Sequence, residues 1–218
     1  IAKEMPLEEQ LAAMRAENAK GARLVAQIAL RGTGVVMAWR GTVHPFRFTR
    51  AWAEIEALPW PRKLEALKDP AMRRRMVSEA PVYPEGDLVH IRRVLSEGWQ
   101  VQFPLGEGFD YEPQSRDSVL ERARAAGVTP AEFAYDLLMQ GDGNGFIYLP
   151  LLNYADGNLD FLLDLQRAGD TVNSLSDGGA HCGTICDAAS PTFMLQHWVR
   201  DRSRGRIPLE LAIRRQCR

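Results

Sequence analysis

Residues 171–187 read TVNSLSDGGAHCGTICD, and the fold is read outward from this stretch. Thr171, Val172 and Leu175 favour a β-strand, and Ser176-Asp177-Gly178-Gly179-Ala180-His181 follows them. A carboxylate therefore stands where a strand ends and a glycine pair opens a tight turn. Upstream, Asp156 can cap a helix carrying Leu159, Leu162 and Leu163 that stops at Gly169. Downstream, Ser190-Pro191 starts another helix, with Phe193, Leu195 and Trp198 available for burial and Gly205 behind it. Helix, strand, Asp-bearing loop and helix make a β/α unit. In an α/β barrel the loops past the strands' C-terminal ends converge over the mouth, so Asp177 is the first candidate for chemistry.

Nearer the N-terminus, Leu7, Leu11 and Met14 share one helical face and Gly21 stops that helix. The run ARLVAQIAL at 22–30 suits a parallel strand buried on both faces, interrupted by Gln27. An amide in such a strand is either a hydrogen-bonded core group or points into a pocket at the strand's end. Gly32-Thr33-Gly34 lacks the third glycine of a phosphate cradle and carries little weight. Thr42-Val43-His44-Pro45-Phe46 reads as a proline-fixed loop, with His44 either bonded to backbone or lining a site.

Thr49 caps a helix with Trp52 and Ile55 inward; further helices open at Pro61 and at Asp69-Pro70, the latter with Met72 and Met76 one turn apart. Arg73, Arg74 and Arg75 between those methionines read as a solvated face. Residues 82–112, rich in Pro and Gly with one strand candidate at 99–103, read as an excursion outside the main sheet. Thr129-Pro130-Ala131-Glu132 is a capping box with proline at the first helical position, and 146–149 is a short strand candidate. Three or four strands fall short of the eight of a closed barrel, so the expected fold class is α/β, the latter part of a (β/α)8 barrel over 1–218 with no complete second domain.

Composition narrows the function classes. Lys plus Arg (27) and Asp plus Glu (28) nearly cancel to a net charge of -1, which argues against a nucleic-acid or anionic-membrane partner. A hydrophobic share of 45% suits a globular core, and no run approaches the ~18 apolar residues of a membrane span. Cys182, Cys186 and Cys217 are too few and odd for a disulfide framework, so a cytoplasmic setting is expected. Helical patterns at both ends suggest an internal piece of a longer protein, inactive alone and dependent on the remaining barrel segments of its own chain.

Asp177 can be a metal ligand, a general base or the cap of its turn. His181, Cys182, Cys186 and Asp187 crowd the same loop, yet the two cysteines miss the spacing of a closed zinc site and read as small packing groups. An open hydrolytic site needs less: zinc lowers its water's pKa to about 7, and a nearby carboxylate takes and returns protons. His181 could then hold a carbonyl or a carboxylate of the substrate.

With SDGGAHCGTICDA at 176–188 and HWVRDRSRG at 197–205, the chain resembles the N-acyl-D-amino-acid deacylases (D-aminoacylases) of the amidohydrolase superfamily. GTVHPF at 41–46, FDYEP at 109–113, AYDLL at 134–138 and YLPLLNY at 148–154 support the resemblance in order along nearly the whole chain. It implies a metal-dependent barrel holding one or two zinc ions, with Asp177 matching the acid/base aspartate and metal ligand after the last strand. His181 matches a residue of the same loop; Gln27 and His44 complete the expected substrate-binding set. A small N-acyl amino acid is the expected substrate, with a hydantoinase- or dipeptidase-like hydrolase, or a non-catalytic barrel homologue, as alternatives.

Overall fold

The computed structural model describes residues 7–86, 88–154, 156–174 and 189–217. They form a mixed α/β protein, about 51% helix and 11% strand, so helices supply most of the buried surface around small sheets. Two units divide the described residues: 7–32 with 159–174 and 189–217, and Thr33–Asn158. Among the described residues no helix is long and apolar enough to cross a membrane.

The first unit opens with α1 (Leu7–Ala19), which buries only Leu11. Its Arg15 pairs with Asp170 at 2.5 Å. Past the helix, the Asn18 side chain donates to Leu24 O and accepts from Leu24 N, both at 2.8 Å, while Gly21 takes a φ of +103°. An amide side chain thus stands in for a neighbouring strand and turns the chain into β1 (Ala26–Ile28). The expected strand at 22–30 shrinks accordingly to three residues, and Leu24 and Val25 remain exposed.

Strand β1 pairs in parallel with Thr171–Asn173, Ala26 opposite Thr171 and Ile28 opposite Asn173. Between them in sequence, helix Asp160–Arg167 buries Leu162, Leu163 and Leu165. The helix after residues 175–188 begins as a short α-turn, Ser190–Phe193, continues as a π-helix, Met194–Asp201, and is followed by helix Leu209–Gln216. The expected helix and parallel strand precede residues 175–188, which lie outside the described residues, and a helix follows them.

In the second unit, β2 (Thr33–Met37) lies antiparallel to the central strand β4 (Phe146–Leu152), which also pairs with β3 (Phe103–Leu105). Residues 82–112 thus contribute a helix, α5 (Val89–Glu97), and an edge strand, where Pro104 is tolerated because an edge needs fewer ladder donors. Gly34 serves strand approach: a Cβ there would lie 2.5 Å from Leu149 O, beside a register shift. Around this sheet pack α2 (Arg50–Ile55), α3 (Trp60–Lys68), α4 (Pro70–Ser78), α6 (Val119–Ala126) and α7 (Pro130–Gly143).

Local chemistry sets their ends. Thr49 Oγ1 accepts from Trp52 N, Asp69 Oδ1 from Ala71 N, and Thr129 and Glu132 form the reciprocal box that the sequence announces. Trp39, Trp52, Tyr135, Leu138, Ile147 and Leu149 form the heart of this unit's core. Full burial of side chains this size contributes about 1.5–3 kcal/mol each. The Tyr135 hydroxyl keeps a partner by donating to Leu67 O at 2.7 Å.

Candidate functional site at the ends of two parallel strands

Parallel pairing brings the C-terminal ends of β1 and of Thr171–Asn173, hereafter β5, to the same side. One residue beyond the ladder, both the backbone N and the Oγ of Ser174 donate to Ile28 O, at 2.9 and 3.1 Å. The chain therefore enters segment 175–188 from an anchored point. Asn173, the last residue of β5, has its Nδ2 buried without a hydrogen-bond partner among the described residues.

Two further elements brace this edge. The Trp198 indole, on the π-helix, donates from Nε1 to Leu30 O at 2.6 Å. His197 stacks on Phe193 with centroids 4.7 Å apart and sets its edge against Trp198. The Arg202 guanidinium lies 4.8 Å over the Trp198 ring, pairs with Asp160 and donates to the carbonyls of Arg204 and Gly205. Its side chain is 1% exposed while Asp160 is 56% exposed, so water shares the solvation of the pair. The phrase at 197–205 is thus a clamp on the end of β1. π-Helices are uncommon and concentrate at functional sites.

From helix Leu209–Gln216, Arg215 runs along β5. Its Nη2 donates to Thr171 O at 3.1 Å and Oγ1 at 2.6 Å, its Nη1 to Ala168 O at 3.2 Å, and its Nε to Asn173 Oδ1 at 3.3 Å. Burial, with repulsion from Arg214 behind it, draws the guanidinium's pKa below its ordinary value. Backbone oxygens and a neutral amide surround the charge, which is how a partly buried cation is held without a carboxylate.

Of the residues expected at the site, Asp177 and His181 lie outside the described residues, as do Cys182 and Cys186. Gln27 sits on β1 opposite Val172 and is exposed; the expected buried amide is corrected, because the strand is short and half open. His44 is also corrected. It belongs to the second unit and is fully buried, its ring 4.0 Å from Trp52 and 4.8 Å from Trp39. Neither ring nitrogen has a hydrogen-bond partner among the described residues, so the expected bond to backbone is absent among them, and the position is core rather than the wall of an open site. Burial, then the charges of Arg47 and Lys63, hold its pKa well below the usual histidine range, so the ring is neutral.

Among the described residues no three His, Cys, Asp or Glu side chains converge as a metal site. The sequence reading misses Asn173, Ser174 and Arg215. Only an arginine in the last helix and a polar pair after a β-favouring dipeptide signal them. In comparison with known proteins, no family model, no curated protein and no solved structure matches the chain.

Proposed function

We propose that the protein hydrolyses an N-acyl amide, foremost that of an N-acyl-D-amino acid, with the Asp177 carboxylate as general acid/base on the latter part of a (β/α)8 barrel. The supporting observation is the anchored exit of β5: Ser174 is tied twice to Ile28 O, so the phrase at 176–188 starts from the C-terminal end of a parallel pair. Ligand and reaction sites of parallel α/β sheets gather at that end.

An aspartate with a reference pKa of ~3.9 is ionised at neutral pH. In this reading the Asp177 carboxylate accepts a proton from the attacking water as the C–O bond forms. It returns that proton to the amide nitrogen as the C–N bond breaks, releasing a carboxylic acid and an amine. His181 holds the acyl oxygen or the substrate carboxylate. The resemblance calls for zinc, which when bound makes a water more acidic; no described residues form its donor set, and both proton transfers are assigned to Asp177 alone.

The test is turnover by the full gene product on N-acyl-D-amino acids, their L forms and hydantoins. Loss of a positioned acid/base group costs about 10²–10⁴-fold in rate, so Asp177→Asn should lose at least that much with an unchanged circular dichroism spectrum. Near-normal turnover by the variant rejects the role of Asp177. Preference for hydantoins moves the protein to the cyclic-amide hydrolases, and no turnover on any of the three favours a non-catalytic homologue.

A further inference from the structure

The sequence QGDGNGF at 140–146 joins the last turn of α7 to β4 within the unit Thr33–Asn158, and it holds a reactive dipeptide that the proposed hydrolysis does not use. Asn144 is followed by Gly145, whereas Asn18, Asn153, Asn158 and Asn173 precede Ala, Tyr, Leu and Ser. Glycine has no side chain to shield its backbone nitrogen or restrict its approach, so an asparagine before it is the one most open to attack on its own amide carbon.

In the fold both reacting groups are engaged. Gly145 N, the nucleophile, is buried and donates to Leu138 O at 3.2 Å. Asn144 Nδ2, the leaving group, donates to Gly141 O at 2.6 Å. The turn itself is wedged: Gly141, Asp142 and Gly143 all have positive φ, a Cβ on Gly143 would stand 2.9 Å from the Trp60 ring, and Asp142 pairs with Lys68 at 2.7 Å. Attack on Asn144 Cγ requires Gly145 N to leave Leu138 O and the Asn144 side chain to leave Gly141 O, so reaction waits for this turn to open.

The backbone after Asn144 has no slack. A Cβ on Gly145 would strike Leu137 O, so the chain there lies flat against the end of α7. One residue on, β4 runs between β2 and β3 with Ile147 and Leu149 fully buried. An added main-chain atom between residues 144 and 145 displaces either Gly145 from α7 or the pairing of Phe146 with Leu105 and of Ile147 with Met37.

We propose that Asn144–Gly145 is a deamidation site gated by the fold, whose isoaspartyl product blocks return to the native structure. In the opened turn the Gly145 nitrogen, losing its proton to solvent base, bonds to Asn144 Cγ; the Cγ–Nδ2 bond breaks and the amide nitrogen leaves as ammonia. Water then opens the succinimide ring. Addition at Cγ gives an aspartate, whereas addition at the main-chain carbonyl of residue 144 leaves the backbone running through the former side chain, one methylene longer. Nothing is oxidised or reduced. An opening of the second unit is thereby recorded in covalent form.

The experiment holds the full chain at mildly alkaline pH in native buffer and in denaturing urea, and follows each asparagine by peptide mapping and mass spectrometry. In urea Asn144 reacts first among the asparagines, and in the native chain it reacts about tenfold more slowly or less, as opening from a bonded turn requires. On dilution from urea, the unreacted chain and the Asn144→Asp variant, which keeps the backbone length, regain the near-ultraviolet circular dichroism of the packed tryptophans; the isoaspartyl chain does not. An Asn144 that reacts no faster in urea than Asn18 or Asn158 overturns the site, and equal rates with and without urea overturn the gate. Refolding of the isoaspartyl chain to the wild-type spectrum overturns the block. So does failure of Asn144→Asp to refold, which would place the effect in the new charge instead of the lengthened backbone.

Discussion

His44 meets the indole of Trp52 edge-on, ring centroids 4.0 Å apart at 71°, with both imidazole nitrogens buried and unbonded among the described residues. Such a ring is stable only when neutral. Its pKa in the fold is held well below the ordinary 6.5 by burial and then by Arg47 and Lys63, whereas the unfolded chain protonates it normally. As pH falls below ~6.5 the unfolded state takes up a proton that the folded state refuses, so stability falls with pH at about 1.4 kcal/mol per unit until the folded pKa is reached. His44→Phe keeps an aromatic ring and removes this linkage. Between pH 7.5 and 5.5 the wild type should lose about 1.4 kcal/mol more than the variant in urea titrations. Equal losses would show that His44 is not the neutral core group described.

Gly34 lets two strands approach where a methyl group would strike backbone. A Cβ there would stand 2.5 Å from Leu149 O and 3.0 Å from Pro150 Cα. Backbone yields poorly, so Gly34→Ala should cost about 1–3 kcal/mol, the ordinary range for overpacking. Gly106→Ala, where a Cβ meets nothing within 4 Å, is the matched control and should lie within about 0.5 kcal/mol of wild type. Thermal or urea unfolding of the pair decides; similar stabilities for both variants would contradict the close approach.

Trp198 fastens the π-helix to the end of β1 through one indole N–H, bonded to Leu30 O at 2.6 Å. Trp198→Phe keeps much of the apolar burial but removes the donor, leaving a buried carbonyl without it, at a cost of about 1–3 kcal/mol. The variant should show a lower urea midpoint with an unchanged slope. A wild-type midpoint would show that the bond carries no stability.

What the chain announces in advance is chiefly what its neighbours in sequence decide. Thr129 and Glu132 stand three residues apart and satisfy each other's backbone donors, so their helix start is legible without tertiary structure. Thr49 and Asp69 mark helix starts for the same reason. The antiparallel sheet is illegible because Val35 pairs with Leu149 and Phe103 with Tyr148, across separations that no local pattern spans. Pairing also turns Gly34 from a doubtful phosphate loop into a tight strand crossing. His44 misleads because its loop carries proline and glycine, as exposed turns do, while Trp39 and Trp52 close on it from either side in sequence. At the candidate site, the strand before Asp177 is legible from Thr171 and Val172; its anchoring to Ile28 and its cover by Arg215 depend on distant partners.

The pairing of Thr33 with Leu152 bears on how the molecule assembles in time. Strands β1 and β5 are neighbours in space yet far apart along the backbone, which by itself predicts a slow meeting. Once Thr33–Asn158 has folded, its two ends are held side by side, and the effective tether between β1 and β5 falls from roughly 140 to roughly 20 residues, lowering the entropy of closure by about 2 kcal/mol. The inserted unit, once folded, is thereby a splint for the parallel pair carrying Asn173 and Ser174.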